Sequence, residues 1–545
     1  MKINRKFLIF LILAGILFRF GTLCIEGLWY DEARQFMAAK GTIYSVWPES
    51  NHKLVNVNIV RLCSITIKSF LGSPFFTVLL HYWSKISNAE VWLRLLPLLF
   101  GIGVLPIMYR LALACNFSRT FALFVTAFCS WVGPWIFYSL ELRPYSLEIF
   151  FTALSLLLLV DIFKHKRVLV VNYLWLSLSM LVGIVSGYGY IIICVLIAAS
   201  AVFFIAITAD AWRRKLIKTL LVIIPVLVSY LYVNCIFSAR SMVNNGELKS
   251  VNIALSVSAE YLSYLHGSFH SSFWVYILGI INLVLSMISW QLFYVGRFNL
   301  GFFNNLPLGL PFFFLVGIIF LCIALLISFL FKRKRYEEGV VLVIFLGAVV
   351  VCIILSTLQL FPIGPIRQNL FLSPALLMSF FIFLKYLYRA ANRIGVRINW
   401  NYCILLIFIL MIIFNIMRVN KSLIYGRNGE EIRPLLRKIE SSYHKGDKVC
   451  VYLNKRSLPS FIYEWQYAPL PWMDGLKRKN IYGGVSFKAR VGSGYDYQWY
   501  LFILDHELAN SVKNDLIKKG VLIEEEYTFF PKVDIFRARI DKGIG

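Results

Sequence analysis

Two carboxylates stand side by side in Trp29-Tyr30-Asp31-Glu32, directly after an apolar run at residues 7–25. Such a pair suits proton transfer: Asp31 as a general base, with Glu32 orienting it or binding substrate. A second cluster, Glu141-Leu142-Arg143-Pro144-Tyr145, lies between the apolar runs 120–139 and 145–163. Pro144 is expected to open a helix, which sets Arg143 at its positive end, a geometry suited to phosphate. A third cluster, Pro362-Ile363-Gly364-Pro365-Ile366-Arg367, precedes the run 369–388 and offers Arg367 as a second phosphate contact. His81 and Arg94 flank the start of another apolar run and are further candidates for binding substrate or phosphate. Ionisable residues at membrane depth are costly to keep, which makes each of these a functional candidate.

Each has a plainer alternative. Asp31 can serve as the N-cap of the helix EARQFMAAK, with Glu32 favourable in its first turn, and one residue can do both jobs. Arg143 can snorkel to water and pair with Glu141, an ion pair worth under about 1 kcal/mol. Glu148, one turn further on, is expected to pair with Arg143 rather than touch substrate. A lone interfacial histidine such as His81 is usually structural. His266 and His270 have helical spacing but no accompanying carboxylate, so they signal no metal. Asp505-His506-Glu507 falls where a strand ends and a helix begins, an ordinary place for a capping Asp.

The elements that must position these groups are membrane helices. The chain has 545 residues, of which 59% are hydrophobic and 15% charged, and its mean hydropathy is +0.72. A soluble protein of that make-up would expose far too much apolar surface. Apolar runs near 7–25, 91–113, 120–139, 145–163, 169–190, 190–208, 219–237, 308–331, 340–361, 369–388 and 402–418 give about eleven crossings of a hydrocarbon core about 30 Å thick. The stretch 272–292 is also apolar, but counting it as a span would move Lys332–Arg335 to the other side. It is read instead as a helix or re-entrant segment on the outer face.

Charge orients the bundle. Lys2, Arg5 and Lys6 place the N-terminus in the cytoplasm. Arg110/Arg119, Lys164–Arg167, Arg213–Lys215, Lys332–Arg335 and Arg389/Arg393/Arg397 then share the inner face. The net charge of +27, from 55 Lys+Arg against 28 Asp+Glu, is therefore a membrane signal and argues for anionic lipid partners, not nucleic acid. The basic, apolar start could pass for a signal peptide, but no small-residue cleavage site follows and Arg19 sits near its end; an uncleaved anchor is expected. The ten cysteines form no CxxC or zinc spacing, so neither a metal nor another cofactor is signalled.

After Arg418 the chain becomes charged and mixed. VCVYL, YLFIL and VDIFRARI read as strands, with a helix across ELANSVKNDLIKKG ending at Gly520. The expected organisation is a transmembrane catalytic domain at 1–419 and a periplasmic α/β domain at 420–545.

WYDEARQF, then SPFFTVLLHYWSKISNAEVWLRLLPLLFGIGVLPIMYRLA and YSLELRPYSLEIFFTALSLLLL, in that order over roughly the first 165 residues, resemble bacterial family 39 glycosyltransferases. These are relatives of the protein O-mannosyltransferases and of the lipid A aminoarabinose transferase, within the GT-C superfamily. GPIRQNLFLSP is similar to the family's Pro-Arg-Tyr segment, and EEIRPLLRKIESSYHKGDKVCVYLNKRSLPSFIYEW and WYLFILDHE look like the extracytoplasmic tail of some members. The chain departs from the family in having Ser73-Pro74-Phe75 where His-Pro-Pro is common, and Gln368 where Tyr is.

The resemblance implies a GT-C-like helical bundle and transfer of a sugar from a polyprenyl-phosphate donor. The acidic catalytic pair would be Asp31 and Glu32. The acceptor is left open between lipid A, another envelope glycan and Ser/Thr of an exported protein. Two other classes compete. A flippase for lipid-linked sugars would show internal repeats or broken helices in matching halves, and no such symmetry is visible. A scaffold binding envelope glycans would need no Asp-Glu plus Arg constellation.

Overall fold

The computed structural model describes residues 4–23, 28, 30–41, 58–68, 73–165, 169–208, 210–243, 335–358, 360–361, 367–393 and 408–417, some single positions, and the strands of a C-terminal sheet. The chain divides into two compact units: residues 1–21, 66–76 and 94–416 in one, and 22–65, 77–93 and 417–545 in the other. The tail beyond 419 thus shares its unit with two earlier segments, a grouping that the order of the sequence does not suggest.

The first unit is helical. Its described helices include α1 (Arg5–Gly21), most of α5 (Glu90–Ala114), α6 (Arg119–Ser130), α7 (Gly133–Ser139), α8 (Tyr145–Lys164), α9 (Val170–Ser186), α10 (Tyr190–Ile207), α11 (Trp212–Val243), α12 (Tyr336–Thr357) and α13 (Ser373–Arg393). A 3-10 turn at Arg367–Leu372 leads into α13. Among the described residues, six helices are long and apolar enough to cross a membrane: α5, α8, α10, α11, α12 and the 368–390 segment. They coincide with six of the runs read from the sequence.

The run 120–139 is a broken pair, α6 and α7, bent by 58°. Pro134 at the start of α7 lacks an N–H for the preceding turn, which accounts for the break. Helix α9 has 17 residues, shorter than a span usually needs. The expected span at 308–331, and the stretch 272–292 read as an outer-face or re-entrant helix, fall almost entirely outside the described residues.

Packing in this unit centres on α8, whose Leu147, Ala153, Leu156, Leu159, Val160 and Ile162 are buried. It contacts α9, α10, α12, α13 and the 3-10 turn. Helix α1 lies on α6, where Arg19 donates to the carbonyls of Gly15 (3.1 Å) and Ser130 (2.7 Å). A side chain on Gly15 would meet Ser130 Oγ at 2.8 Å, so glycine permits that approach. At another place Lys385 of α13 donates to Glu338 of α12 (2.9 Å) and to the carbonyls of Cys115 and Asn116 (3.2 Å each), tying the α5–α6 turn to both helices.

The second unit holds α2 (Tyr30–Ala39), most of α3 (Ile59–Lys68) and of α4 (Pro74–Trp83), and a five-stranded sheet. Its strands are β1 (Val449–Leu453), β2 (Ile481–Gly483), β3 (Trp499–Ile503), β4 (Val521–Phe529) and β5 (Val533–Ile540), in the order β2-β1-β3-β5-β4. β1 pairs in parallel with β2 and β3, whereas β5 runs antiparallel to β3 and β4. The three strands expected from VCVYL, YLFIL and VDIFRARI are β1, β3 and β5, with β3 starting one residue early. Parallel neighbours require crossover connections. The helix expected across ELANSVKNDLIKKG falls between β3 and β4, which are not neighbours in the sheet, and lies almost wholly outside the described residues.

Candidate active site

Helix α2 begins at Tyr30, so Asp31 and Glu32 lie inside its first turn. The expectation that Asp31 is the N-cap is corrected: that position falls before Tyr30. Both carboxylates still face the positive end of the helix. Asp31 is 7% exposed and Glu32 fully buried, which takes both out of the class of ordinary surface acids.

Helix α2 is fastened along its length. Gln35 Nε2 donates to Thr77 Oγ1 of α4 at 2.8 Å. Phe36 meets the Tyr463 ring edge-on at 5.3 Å, and the Tyr463 hydroxyl donates to the Asn88 carbonyl at 3.0 Å. His81 places Nδ1 2.7 Å from the Ala39 carbonyl; a carbonyl cannot donate, so Nδ1 carries the proton. That contact is eight residues along the helix from Asp31, about 12 Å at 1.5 Å per residue. His81 therefore has a described role in holding the C-terminal end of α2. Gln35 and Tyr463 carried no chemical signal in the sequence; the polar Gln35 at an otherwise buried helix position was the one available hint.

In the first unit, the segment leading into α8 and the first residue of that helix supply Glu141, Arg143 and Tyr145, which are 1%, 8% and 9% exposed. The Arg143 N–H donates to the Glu141 carbonyl at 2.6 Å, tightening the loop. Pro144 caps α8 and Tyr145 is its first residue, as the sequence suggested. The Arg143 guanidinium lies 5.8 Å from the centre of the Tyr145 ring, within cation–π range. Tyr145 in turn meets Tyr138 edge-on at 5.1 Å. A buried guanidinium next to a helix N-terminus is an arrangement that favours an anion.

The expected pairing of Glu148 with Arg143 is not what forms. Glu148 Oε1 instead accepts the Tyr190 N–H at 3.1 Å, at the N-terminus of α10. That carboxylate satisfies a helix-end donor and leaves Arg143 to other neighbours. Arg94, 2% exposed, lies near the start of α5. Arg367 opens the 3-10 turn against which α8 packs, and Arg143 and Arg367 belong to the same unit; the Arg367 side chain lies outside the described residues.

Ser73, where the resemblance led to an expectation of histidine, has a structural role. Its hydroxyl accepts the Phe76 N–H at 3.2 Å and donates to the Val185 carbonyl at 3.2 Å. It caps α4, with Pro74 as the first helical residue. Among the described residues, no group of three or more His, Cys, Asp or Glu is placed to hold a metal ion.

No family model matches the chain, and no curated protein does. Among solved structures, it is similar to ArnT from Cupriavidus metallidurans bound to undecaprenyl phosphate, at 12% identity over 99% of each chain with a TM-score of 0.41. The apo form of that protein gives 12% identity over 98% of each chain and a TM-score of 0.43. The archaeal oligosaccharyltransferase AglB from Archaeoglobus fulgidus, in complex with an inhibitory peptide and a dolichol-phosphate, gives 15% identity and a TM-score of 0.40, over 76% of this chain and 56% of that one. This chain therefore spans little more than half the length of the archaeal protein. TM-scores below 0.5 leave the description of the fold to rest on the chain's own helices.

Proposed function

We propose that the chain is an integral-membrane GT-C-type glycosyltransferase that moves a sugar from a polyprenyl-phosphate donor to an envelope acceptor at the outer face of the plasma membrane. The observation that carries this reading is Arg143, a guanidinium kept nine-tenths buried directly before the N-terminus of a helix apolar enough to span. A planar guanidinium directly before a positive helix end is an arrangement that suits the oxygens of a phosphate. The buried carboxylates Asp31 and Glu32, and the resemblance of WYDEARQF and YSLELRPYSLEIF to family 39 enzymes, supply the other half of the chemistry.

In the proposed reaction, Asp31 accepts the proton of an acceptor hydroxyl while that oxygen attacks the anomeric carbon of the donor. The bond from that carbon to the phosphate oxygen breaks, and the electron pair leaves with the polyprenyl phosphate. The phosphate gains negative charge in the transition state, so Arg143, with Arg367 as a second cation, stabilises it more than the ground state. Glu32 orients Asp31 or binds the sugar; Glu141, Tyr145, Arg94 and His81 line or support the donor-binding segments. The acceptor class, lipid A, glycan or protein, follows from none of these groups. No cofactor is assigned.

The orientation belongs to the same reading: N-terminus inside, with 420–545 outside, because this keeps the five basic clusters on the inner face. The test is direct. Purified protein is incubated with a radiolabelled polyprenyl-phosphate sugar and an envelope extract, and label is followed from lipid to acceptor. Intact lipid-linked label that only changes leaflets in proteoliposomes would replace the enzyme with the flippase.

A further inference from the structure

The turn between α4 and α5 carries a group of residues that sugar transfer does not use. Lys40, the residue after α2, donates from Nζ to the Ser84 carbonyl at 3.2 Å and lies over the Phe36 ring at 5.1 Å. The next residue along the turn, Lys85, holds its own Nζ over the Tyr82 ring at 4.8 Å. The two ammonium groups feel each other: burial first, and Lys85 second, bring the Lys40 pKa down to about 8.

Beside them Tyr82, Ile86 and Val91 are 50%, 70% and 40% exposed. Trp83 and Trp92 close the corner. Their rings stack at 4.5 Å with planes 7° apart, and each indole N–H donates to the other's backbone carbonyl, at 2.7 and 3.0 Å. Helix α5 starts at Glu90 and is apolar enough to cross a membrane, so the corner lies at the end of a candidate span, where headgroups would be met. Paired indoles at that depth are typical of an interface anchor.

We propose that this corner binds the headgroup of an anionic phospholipid, with its phosphate between Lys40 and Lys85 and its glycerol and upper acyl chain against Tyr82, Ile86 and Val91. An apolar, exposed border gives a free phosphate nothing to bind, whereas a lipid uses both parts. The corner's continuity with a membrane-crossing helix supplies the lipid. Two cations of one sign in a rigid corner also favour an anionic headgroup over a zwitterionic one, since each lysine near a charged membrane surface contributes about five-fold in binding. The site sits beyond the C-terminal end of α2, whereas Asp31 is in its first turn, so lipid binding and sugar transfer are separate properties.

Native mass spectrometry of the full chain, released from detergent after equilibration with phosphatidylglycerol or phosphatidylcholine, tests this without reference to turnover. The wild type is expected to retain phosphatidylglycerol preferentially. Lys85→Gln should weaken that binding by about five-fold, and Lys40→Gln with Lys85→Gln by about 25-fold; the double arginine variant should keep it. Lys85 is exposed, so Lys85→Gln alone carries the test if the double variant fails to fold. Equal retention of both lipids, a Lys85→Gln protein that binds phosphatidylglycerol like the wild type, or displacement of the lipid by millimolar inorganic phosphate would each overturn the proposal.

Discussion

The carboxylate of Glu148 accepts the backbone N–H of Tyr190 at 3.1 Å, so an acid inside α8 caps the start of α10. Gly187 lies against the same carboxylate: a Cβ there would come within 2.4 Å of the Glu148 carboxyl carbon. Further along, the Tyr190 hydroxyl shares a hydrogen bond with Ser155 at 2.6 Å, and Ser155 with Ser179 at 2.7 Å. Three helices are thereby joined by a buried polar chain that runs from Glu148 to Ser155 along α8.

Glu148→Ala should lower stability by about 1–3 kcal/mol, because the Tyr190 N–H is left buried without its acceptor. Glu148→Gln keeps an oxygen in place and should cost less. Gly187→Ala should be as damaging as Glu148→Ala in the wild type, yet add little once Glu148 has been cut to alanine, since the clash partner is gone. Thermal unfolding of the double-mutant cycle measures the coupling; strict additivity would show that the two residues act separately.

Asp31→Asn should abolish turnover, by about 100- to 10,000-fold, if Asp31 is the general base. Because Asp31 lies within the first turn of α2, the amide gives up an interaction with the helix dipole of about 0.3–1 kcal/mol while keeping the shape of the side chain. The melting temperature should therefore barely move. Near-wild-type transfer by Asp31→Asn would reduce Asp31 to a helix-end charge.

Arg143→Lys should keep donor binding and lower kcat, because an ammonium keeps the charge but not the planar two-pronged geometry that fits phosphate oxygens. Arg143→Ala should lose at least about a further tenfold, equivalent to about 1.4 kcal/mol of transition-state stabilisation. With Glu148 engaged by Tyr190, Glu141 is the carboxylate to vary beside it. Restored turnover in Arg143→Ala on adding Glu141→Gln would mean that Arg143 serves only to neutralise Glu141.

Lys40 gives a pH signature. Its pKa falls from an ordinary 10.5 to about 8 through burial and the neighbouring Lys85. Between those values the unfolded chain binds more protons than the folded one, so stability rises with pH across the window. Below about 8 both states are protonated and the unfavourable term is present in full. Lys40→Gln should flatten the pH dependence of the melting temperature between about 8 and 10.5. An unchanged slope would place the titration on another group.

Reporter fusions after Lys166, Arg335 and Gly545 decide the topology. The positive-inside pattern predicts that the first two are cytoplasmic and the last extracytoplasmic. A cytoplasmic reporter at Gly545 would reverse the assignment of the tail.

The sequence by itself determined the class of protein and most of the described elements. Long apolar runs separated by basic clusters can be satisfied only as membrane helices, because hydrocarbon offers backbone groups no other partner. Six described helices and the strands β1, β3 and β5 accordingly sit where hydropathy and period put them. Pro144 likewise announced the start of α8, since proline's fixed φ and missing N–H fit the beginning of a helix. What tertiary structure alone decided is which polar groups meet. Glu148 pairs with Tyr190, 42 residues away, and not with Arg143. His81 closes on Ala39 across the same separation, and Tyr463 reaches Asn88 from 375 residues along the chain. A carboxylate, an imidazole or a phenol has no sequence period that names its partner. Hydrogen bonds are short-ranged and directional, and which donor reaches which acceptor is fixed only once the helices have packed.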